Sequence, residues 1–142
     1  MDDFNDARFP FAAKGQVRYF TENETQKWVV IDCPVDIAFY YNRVCRWLLH
    51  TNRISLPLHG SHITVIAGKH THVDTERYAW EYNNKKVVDF RYGPIQDNKE
   101  GYFWLPVICL DAIEIRTFYG LSPTPKFNYH LTIGYNQNEN SL

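Results

Sequence analysis

The chain's 142 residues include three cysteines, Cys33, Cys45 and Cys109, and no C-x-x-C pair. So small and dispersed a set excludes a disulfide framework and fits a reducing compartment, so a cytoplasmic location is expected. Positive charge is not in excess either: 15 Lys+Arg stand against 16 Asp+Glu. That balance excludes a polybasic protein that coats duplex nucleic acid or an anionic membrane. No apolar run approaches the ~20 residues of a membrane span. The first residues, Met1-Asp2-Asp3-Phe4-Asn5-Asp6, are acidic and polar, the opposite of a secretory leader. Walker, G-x-G-x-x-G and H-E-x-x-H motifs are all missing, so magnesium-dependent nucleotide hydrolysis and zincin chemistry lack support. No linker or low-complexity stretch divides residues 1–142, and a single domain is expected.

Aromatic residues, by contrast, are abundant: 4 Trp, 10 Tyr and 9 Phe make up 16% of the chain. Such a chain can bury a substantial core. Its charge is also unevenly spread. Between Ile37 and Val73 there is no Asp or Glu, while Arg43, Arg46, Arg53, Lys69 and five histidines occur there. Ile115 to Asn138 is likewise free of acids and carries Arg116, Lys126 and His130. Two segments from which carboxylates are withheld suit an anion site, because locally positive potential attracts phosphate even at near-zero net charge.

The order of predicted elements occurs twice. Lys27 to Cys33 is β-branched and aromatic and reads as a strand, ended by Pro34. From Val35 to about Leu49, Ile37, Phe39, Tyr40, Val44, Trp47 and Leu48 recur at spacings of mostly three and four, the apolar face of a helix. After a breaker loop, 61–67 reads as a second strand. In the second half, 102–109 reads as a strand, with Pro106 suggesting an edge or a bulge. Asp111 and Glu114 have the spacing of a helix start, and Gly120 can end that helix. Residues 128–135 read as the closing strand. Between the units, 74–82 is expected to be helical and 86–92 to be a strand. The first ~15 residues and the tail after Gln137 are polar enough to be loosely ordered or to act as flaps. Overall, an α+β fold is expected, with two pseudo-symmetric lobes of strand-helix-strand units whose antiparallel sheets flank a central groove.

Each unit closes on the same pattern: His62-Ile63-Thr64-Val65 in the first and His130-Leu131-Thr132-Ile133 in the second, with the histidines 68 residues apart. Residues i and i+2 of a strand share a face. His62 and Thr64 therefore point one way and Ile63 and Val65 the other; His130 and Thr132 separate from Leu131 and Ile133 in the same manner. Two such strands facing one groove would surround a small anion with two imidazoles and two hydroxyls. Phosphodiester cleavage needs that set: a neutral histidine to accept a proton from the attacking oxygen and a protonated one to supply the leaving oxygen. Histidine serves both roles because its ordinary pKa of ~6.5 lies near working pH. Threonine hydroxyls beside them can donate to the non-bridging oxygens, where charge builds in the transition state. A single His-x-Thr strand would mean little; two, each closing a similar unit in an acid-free segment, make His62, Thr64, His130 and Thr132 the catalytic candidates.

With this pair of motifs, residues 26 to 135 resemble the two-histidine (2H) phosphoesterase superfamily. The flanking Lys27-Trp28-Val29-Val30-Ile31-Asp32-Cys33-Pro34, His59-Gly60-Ser61-His62 and Phe127-Asn128-Tyr129-His130 are similar to its phage anti-CBASS phosphodiesterases. The resemblance implies the two-lobed fold and catalysis with no metal or other cofactor. It also implies a cyclic di- or trinucleotide substrate such as 3′3′-cyclic GMP–AMP, cut in the bacterial host's cytoplasm. In the implied chemistry a ribose 2′-hydroxyl attacks its own 3′-phosphate, giving a 2′,3′-cyclic phosphate and then a linear product. Two alternatives remain open, a phosphodiesterase of 2′,3′-cyclic RNA ends and a binding module that sequesters cyclic nucleotides uncut. The sequence leaves the oligomeric state open.

Five residues are candidates for substrate contacts. Tyr19 and Trp104 can stack on a base, the alternative being ordinary core or surface aromatics. Lys69 and Lys126 flank the motifs and can meet phosphate, the alternative being solvated side chains. Glu139 lies in a polar tail that can close over a ligand or simply fray. His70-Thr71-His72 has the spacing of two metal ligands on an extended segment, but only Asp74 offers a third. Cys33 and Cys109 occupy matching positions in the two units and read as buried structural thiols.

Overall fold

The computed structural model describes residues 7–57, 60–97 and 101–136. Among them are eight strands and two helices: β1 Phe11–Glu22, β2 Gln26–Asp32, α1 Val35–Leu49, β3 Ile54–Ser55, β4 His62–Ile66, β5 Val87–Tyr92, β6 Gln96–Asp97, β7 Tyr102–Ile108, α2 Leu110–Phe118 and β8 His130–Asn136. This is an α+β fold, and every strand pairing in it is antiparallel.

The strands run β3-β8-β4-β2-β1-β5-β7-β6, and β8 also pairs with β7. The array therefore closes on itself through β8, β4, β2, β1, β5 and β7. Closure leaves these six strands with partners on both sides, which removes the exposed edges of an open sheet. The expected separate sheets are not present, because the two halves are hydrogen-bonded to each other at β1–β5 and β4–β8. The repeat survives in the strand order: β4-β2-β1 in the first half is matched by β8-β7-β5 in the second. The helices cross over. α1 packs on β8 and β3, and α2 on β4 and β5. The core between strands and helices is built from Val29, Ile31, Ile63, Val65, Phe90, Leu105, Leu131 and Ile133, with the three buried cysteines among them.

Several expectations change. The first ~15 residues are not all loose, since 11–15 belong to the 12-residue β1 and pair with β5. Residues 74–82 form no helix. Asp74 Oδ1 accepts from the amides of Glu76 and Arg77 and its carbonyl accepts from Tyr78, but the left-handed φ of 66° at Glu81 stops propagation. Asp111 does not cap α2; Cys109 is the N-cap, and Asp111 lies in the first turn, 2.9 Å from Lys86 Nζ. Gly120, at φ 74°, does end that helix: its amide and that of Leu121 donate to the carbonyls of Thr117 and Arg116. Pro106 lies inside a paired strand, between the stretch bonded to β5 (Val107, Ile108) and that bonded to β6 (Phe103, Trp104), where no amide donor is required.

The largest change concerns α1. Its bounds are those predicted, but its buried residues are Ala38, Asn42 and Cys45. Phe39, Tyr40, Trp47 and Leu48 are exposed instead, Trp47 by 73%. The helix sits too close to β8 for aromatic rings. A Cβ added at Gly134 of β8 would lie 2.7 Å from Asn42 Nδ2, so only small or flat side chains fit that contact.

Candidate active site

The two motif strands lie side by side. Ile63 of β4 and Leu131 of β8, the middle residues of the two His-x-Thr motifs, are Cα partners. Both are fully buried and face the core, which sends the residues on either side of each to the opposite face. Continuing that antiparallel register by one residue each way sets His62 beside Thr132 and Thr64 beside His130. Cross-strand neighbours of this kind have Cβ atoms about 4.5–5.5 Å apart. All four side chains line one cavity of about 400 Å³, with Pro57, Gly60, Tyr102 and Tyr135. No carboxylate is among the described residues of the lining, in line with the acid-free segments of the sequence.

Both motif strands carry a β-bulge. In β4, Thr64 pairs with Val30 and Ile66 with Val29, which leaves Val65 as the extra residue. In β8, Thr132 pairs with Trp104 and Gly134 with Phe103, which leaves Ile133 as the extra residue. The bulges therefore occupy the same place in the two motifs, one residue after each threonine. A bulge breaks the two-residue alternation. Val65 and Ile66 are consequently both buried, and Tyr135, which strict alternation would turn away from His130, lines the cavity instead.

The His130 imidazole is oriented from behind. His130 Nδ1 lies 2.7 Å from the carbonyl oxygen of Asn128. A carbonyl only accepts, so Nδ1 carries the hydrogen and Nε2 is left for proton transfer. The Trp104 ring meets that of His130 edge-on, with centroids 6.0 Å apart. Nδ1 of His62 is buried, so Nε2 is again the nitrogen open to the cavity. Asp32, the Cα partner of His62, is drawn to Arg18, whose Nε and second guanidinium nitrogen lie 2.7 and 3.0 Å from its two carboxylate oxygens. The loop before β8 is tied down by the Tyr129 hydroxyl, which donates to the carbonyl of Pro123. Burial pushes the Tyr129 phenol up in pKa, so it remains a neutral donor.

The peripheral candidates fare differently. Tyr19 is buried, with the Trp80 ring edge-on at 4.9 Å and Tyr119 at 6.4 Å. It is a core aromatic with no face free for a base, which corrects its assignment as a stacking residue. Trp104 is half-buried against His130 and lies outside the cavity lining. Lys69 is exposed in the turn after β4, and Lys126 is exposed with its Nζ over the Phe127 ring at 5.5 Å; neither lines the cavity. Glu139 lies outside the described residues. His70 and His72 are exposed, and among the described residues no three His, Cys, Asp or Glu gather as a metal site.

Tyr102 and Tyr135, Cα partners with ring centroids 6.1 Å apart, are the aromatics that do line the cavity. Tyr102 was open to discovery from sequence, since it shares a strand face with Trp104; Tyr135 was legible only as a residue past the motif that can reach a rim, and the bulge is what turns it into the lining.

No helix among the described residues is long and apolar enough to cross a membrane. Compared with known families, residues 41–141 match the model described as Swiss Army Knife, 2H phosphoesterase domain (2H-SAK), a span that includes both motifs. No curated protein and no solved structure matches the chain.

Proposed function

Because the chain belongs to the two-histidine (2H) phosphoesterase family, whose members are hydrolases acting as phosphodiesterases, we propose that it is a metal-independent phosphodiesterase of cyclic di- and trinucleotides. Compounds such as 3′3′-cyclic GMP–AMP, which bacteria make as antiphage signals, are its substrates, and their destruction blocks CBASS defence. The observation that carries the phosphodiesterase reading is the single cavity lined by His62, Thr64, His130 and Thr132, with each histidine in register with the other motif's threonine.

One imidazole, neutral at Nε2, takes the proton of a ribose 2′-hydroxyl as that oxygen bonds to the adjacent 3′-phosphorus. The bond from phosphorus to the 5′-oxygen breaks, and the second imidazole, protonated, supplies that oxygen with its proton. The 2′,3′-cyclic phosphate left behind is opened by water with the proton roles reversed. Thr64 and Thr132 donate to the non-bridging oxygens, whose charge grows as the fifth bond to phosphorus forms. The nucleotide reading is supported by the acid-free lining, by the walls of Tyr102 and Tyr135, against which a base can stack, and by a volume in the range of small-ligand sites.

The test is a panel of cyclic dinucleotides and trinucleotides, incubated with purified protein with and without EDTA and resolved by chromatography. Linear products in both conditions are expected. Loss of activity in EDTA contradicts metal independence. Cleavage confined to RNAs ending in a 2′,3′-cyclic phosphate transfers the function to RNA ends, and tight binding without products identifies a sequestering module.

A further inference from the structure

The bulged residues Val65 and Ile133 are both fully buried. A residue displaced from the ladder has a carbonyl that its neighbouring strand does not satisfy, and a buried carbonyl left in that state costs stability. In both motifs the missing donor comes from a buried polar side chain on a helix. Asn42 of α1 donates through Nδ2 to the carbonyl of Ile133 at 3.0 Å and to that of Ser55 at 3.3 Å. Arg116 of α2 donates through one terminal guanidinium nitrogen to the carbonyl of Val65 at 2.9 Å. Asn42 and Arg116 are the only buried polar or charged residues among those described. Each also crosses between the halves: the first-half helix caps the second-half bulge, and the second-half helix caps the first-half bulge.

We propose that Asn42 and Arg116 are a matched pair of positioning residues, one for each His-x-Thr motif. Each fixes the peptide that follows a bulged residue, one residue beyond a threonine, and so sets the direction of the hydroxyl and imidazole before it. Gly134 is part of the device, because a Cβ there would meet Asn42 Nδ2 at 2.7 Å and close the route to the bulged carbonyl. Arg116 has a second reach. Its Nε donates to the carbonyl of Ser122 at 2.7 Å and its other nitrogen to Ser122 Oγ at 3.3 Å. Ser122 in turn donates to the carbonyl of Thr124, and Tyr129 holds that of Pro123 immediately before His130. A guanidinium suits this task, since its fixed fork can hold two chain segments at a set separation. Burial lowers its pKa, and all three of these bonds go to carbonyls or a hydroxyl, so no carboxylate is brought toward the acid-free cavity.

Function in this proposal rests on the phosphodiester reading, so the test has two arms. In the first, kcat and KM are measured for Asn42→Leu and Arg116→Met, below the melting temperature of each, on whichever substrate the wild type cuts. A displacement of about 1 Å at a reacting group costs ~100-fold in rate. The expected result is a kcat loss of that order with KM changed less than about threefold. Arg116→Lys, which retains the charge and one donor but not the fork, should recover part of it. Phe90→Leu, a core substitution on β5, a strand that pairs with neither motif strand, controls for general destabilisation and should leave kcat unchanged. Should Arg116→Met fail to fold, Arg116→Lys and Asn42→Leu carry the test.

The second arm does not depend on activity: ¹H–¹⁵N spectra of the imidazoles in the same variants. Asn42→Leu is expected to move the His130 ring signals and leave those of His62, while Arg116→Met moves both. Folded variants with wild-type kcat and unmoved ring signals overturn the proposal. A wild type that cuts no substrate ends the phosphodiester reading, and the ring signals then decide the positioning claim alone.

Discussion

His62 of β4 faces Thr132 of β8 across the seam between the two motif strands, a register set by the pairing of Ile63 with Leu131. The proposed active unit is therefore mixed, with each histidine set beside the threonine of the opposite half.

That arrangement governs mutational coupling. His62→Ala and His130→Ala should each lower kcat/KM by at least ~100-fold, since each removes a proton carrier. Thr64→Ala and Thr132→Ala should cost less, since each removes one donor to the non-bridging oxygens and no proton carrier. Because neighbouring groups couple, His62→Ala combined with Thr132→Ala should lose less than the product of the single losses. Steady-state kinetics on the four single and two cross-strand double variants check this. Simple multiplication of the losses would mean that the two groups do not act on one phosphate.

A pH profile tests the division of labour. One imidazole must start neutral and the other protonated, so kcat/KM should be bell-shaped in pH. The rate falls at low pH as the base becomes protonated and at high pH as the acid loses its proton. His130→Ala should abolish one limb of the residual activity and His62→Ala the other, and the limb lost identifies the role. Two intact limbs in either variant would contradict the scheme.

The seam itself is an energetic requirement. Leu131 is fully buried and pairs with Ile63 where the halves meet. Leu131→Ala should cost about 2–5 kcal/mol through lost burial and the cavity left behind. Gly134→Ala should cost about 1–3 kcal/mol, because its methyl would lie within 2.8 Å of Asn42 Nδ2, Ile54 Cγ2 and the carbonyl of Ser55. Urea titrations of both variants measure these losses, and a Gly134→Ala protein as stable as the wild type would contradict the close packing of α1 on β8.

The buried thiols make stability sensitive to alkali. Burial is the main cause that raises Cys109 from its ordinary value of 9.0 to about 11. A raised folded value means the unfolded chain gives up this proton first. The contribution to stability is complete below pH 9 and is lost as pH rises toward 11. Thermal melts should show a falling transition over that window and a shallower fall in Cys109→Ala. An equal slope in both proteins would assign the alkaline loss to other groups.

The motifs were legible in sequence because their chemistry is local. Two His-x-Thr strands, the alternation around Ile63 and Leu131 and the absence of acids nearby all follow from neighbours along the chain. The bounds of α1 were legible for the same reason, since Pro34 and a run of helix-compatible residues are local signals. The face it buries was not. An apolar count favoured Phe39, Tyr40, Trp47 and Leu48, but the buried face is Ala38, Asn42 and Cys45, with Asn42 set in close approach to Gly134. Tyr19 was misread similarly: exposed and buried aromatics are identical in sequence, and only its packing on Trp80 and Tyr119 removed it from the site.

By itself, the chain determined β2, β4, β5, β7, β8 and the two helices, its repeated unit and the residue types that can move protons around a phosphate. Each of these depends on dihedral preference or on spacing within a few residues. Tertiary structure alone decided that the halves join into one closed array, that the bulges at Val65 and Ile133 turn Tyr135 inward and that Asn42 and Arg116 cap those bulges from the opposite halves. Such features depend on which backbone groups lose their ladder partners and which distant side chains come near enough to replace them. That is a property of the packed strands, with no trace in the spacing of residues along the chain.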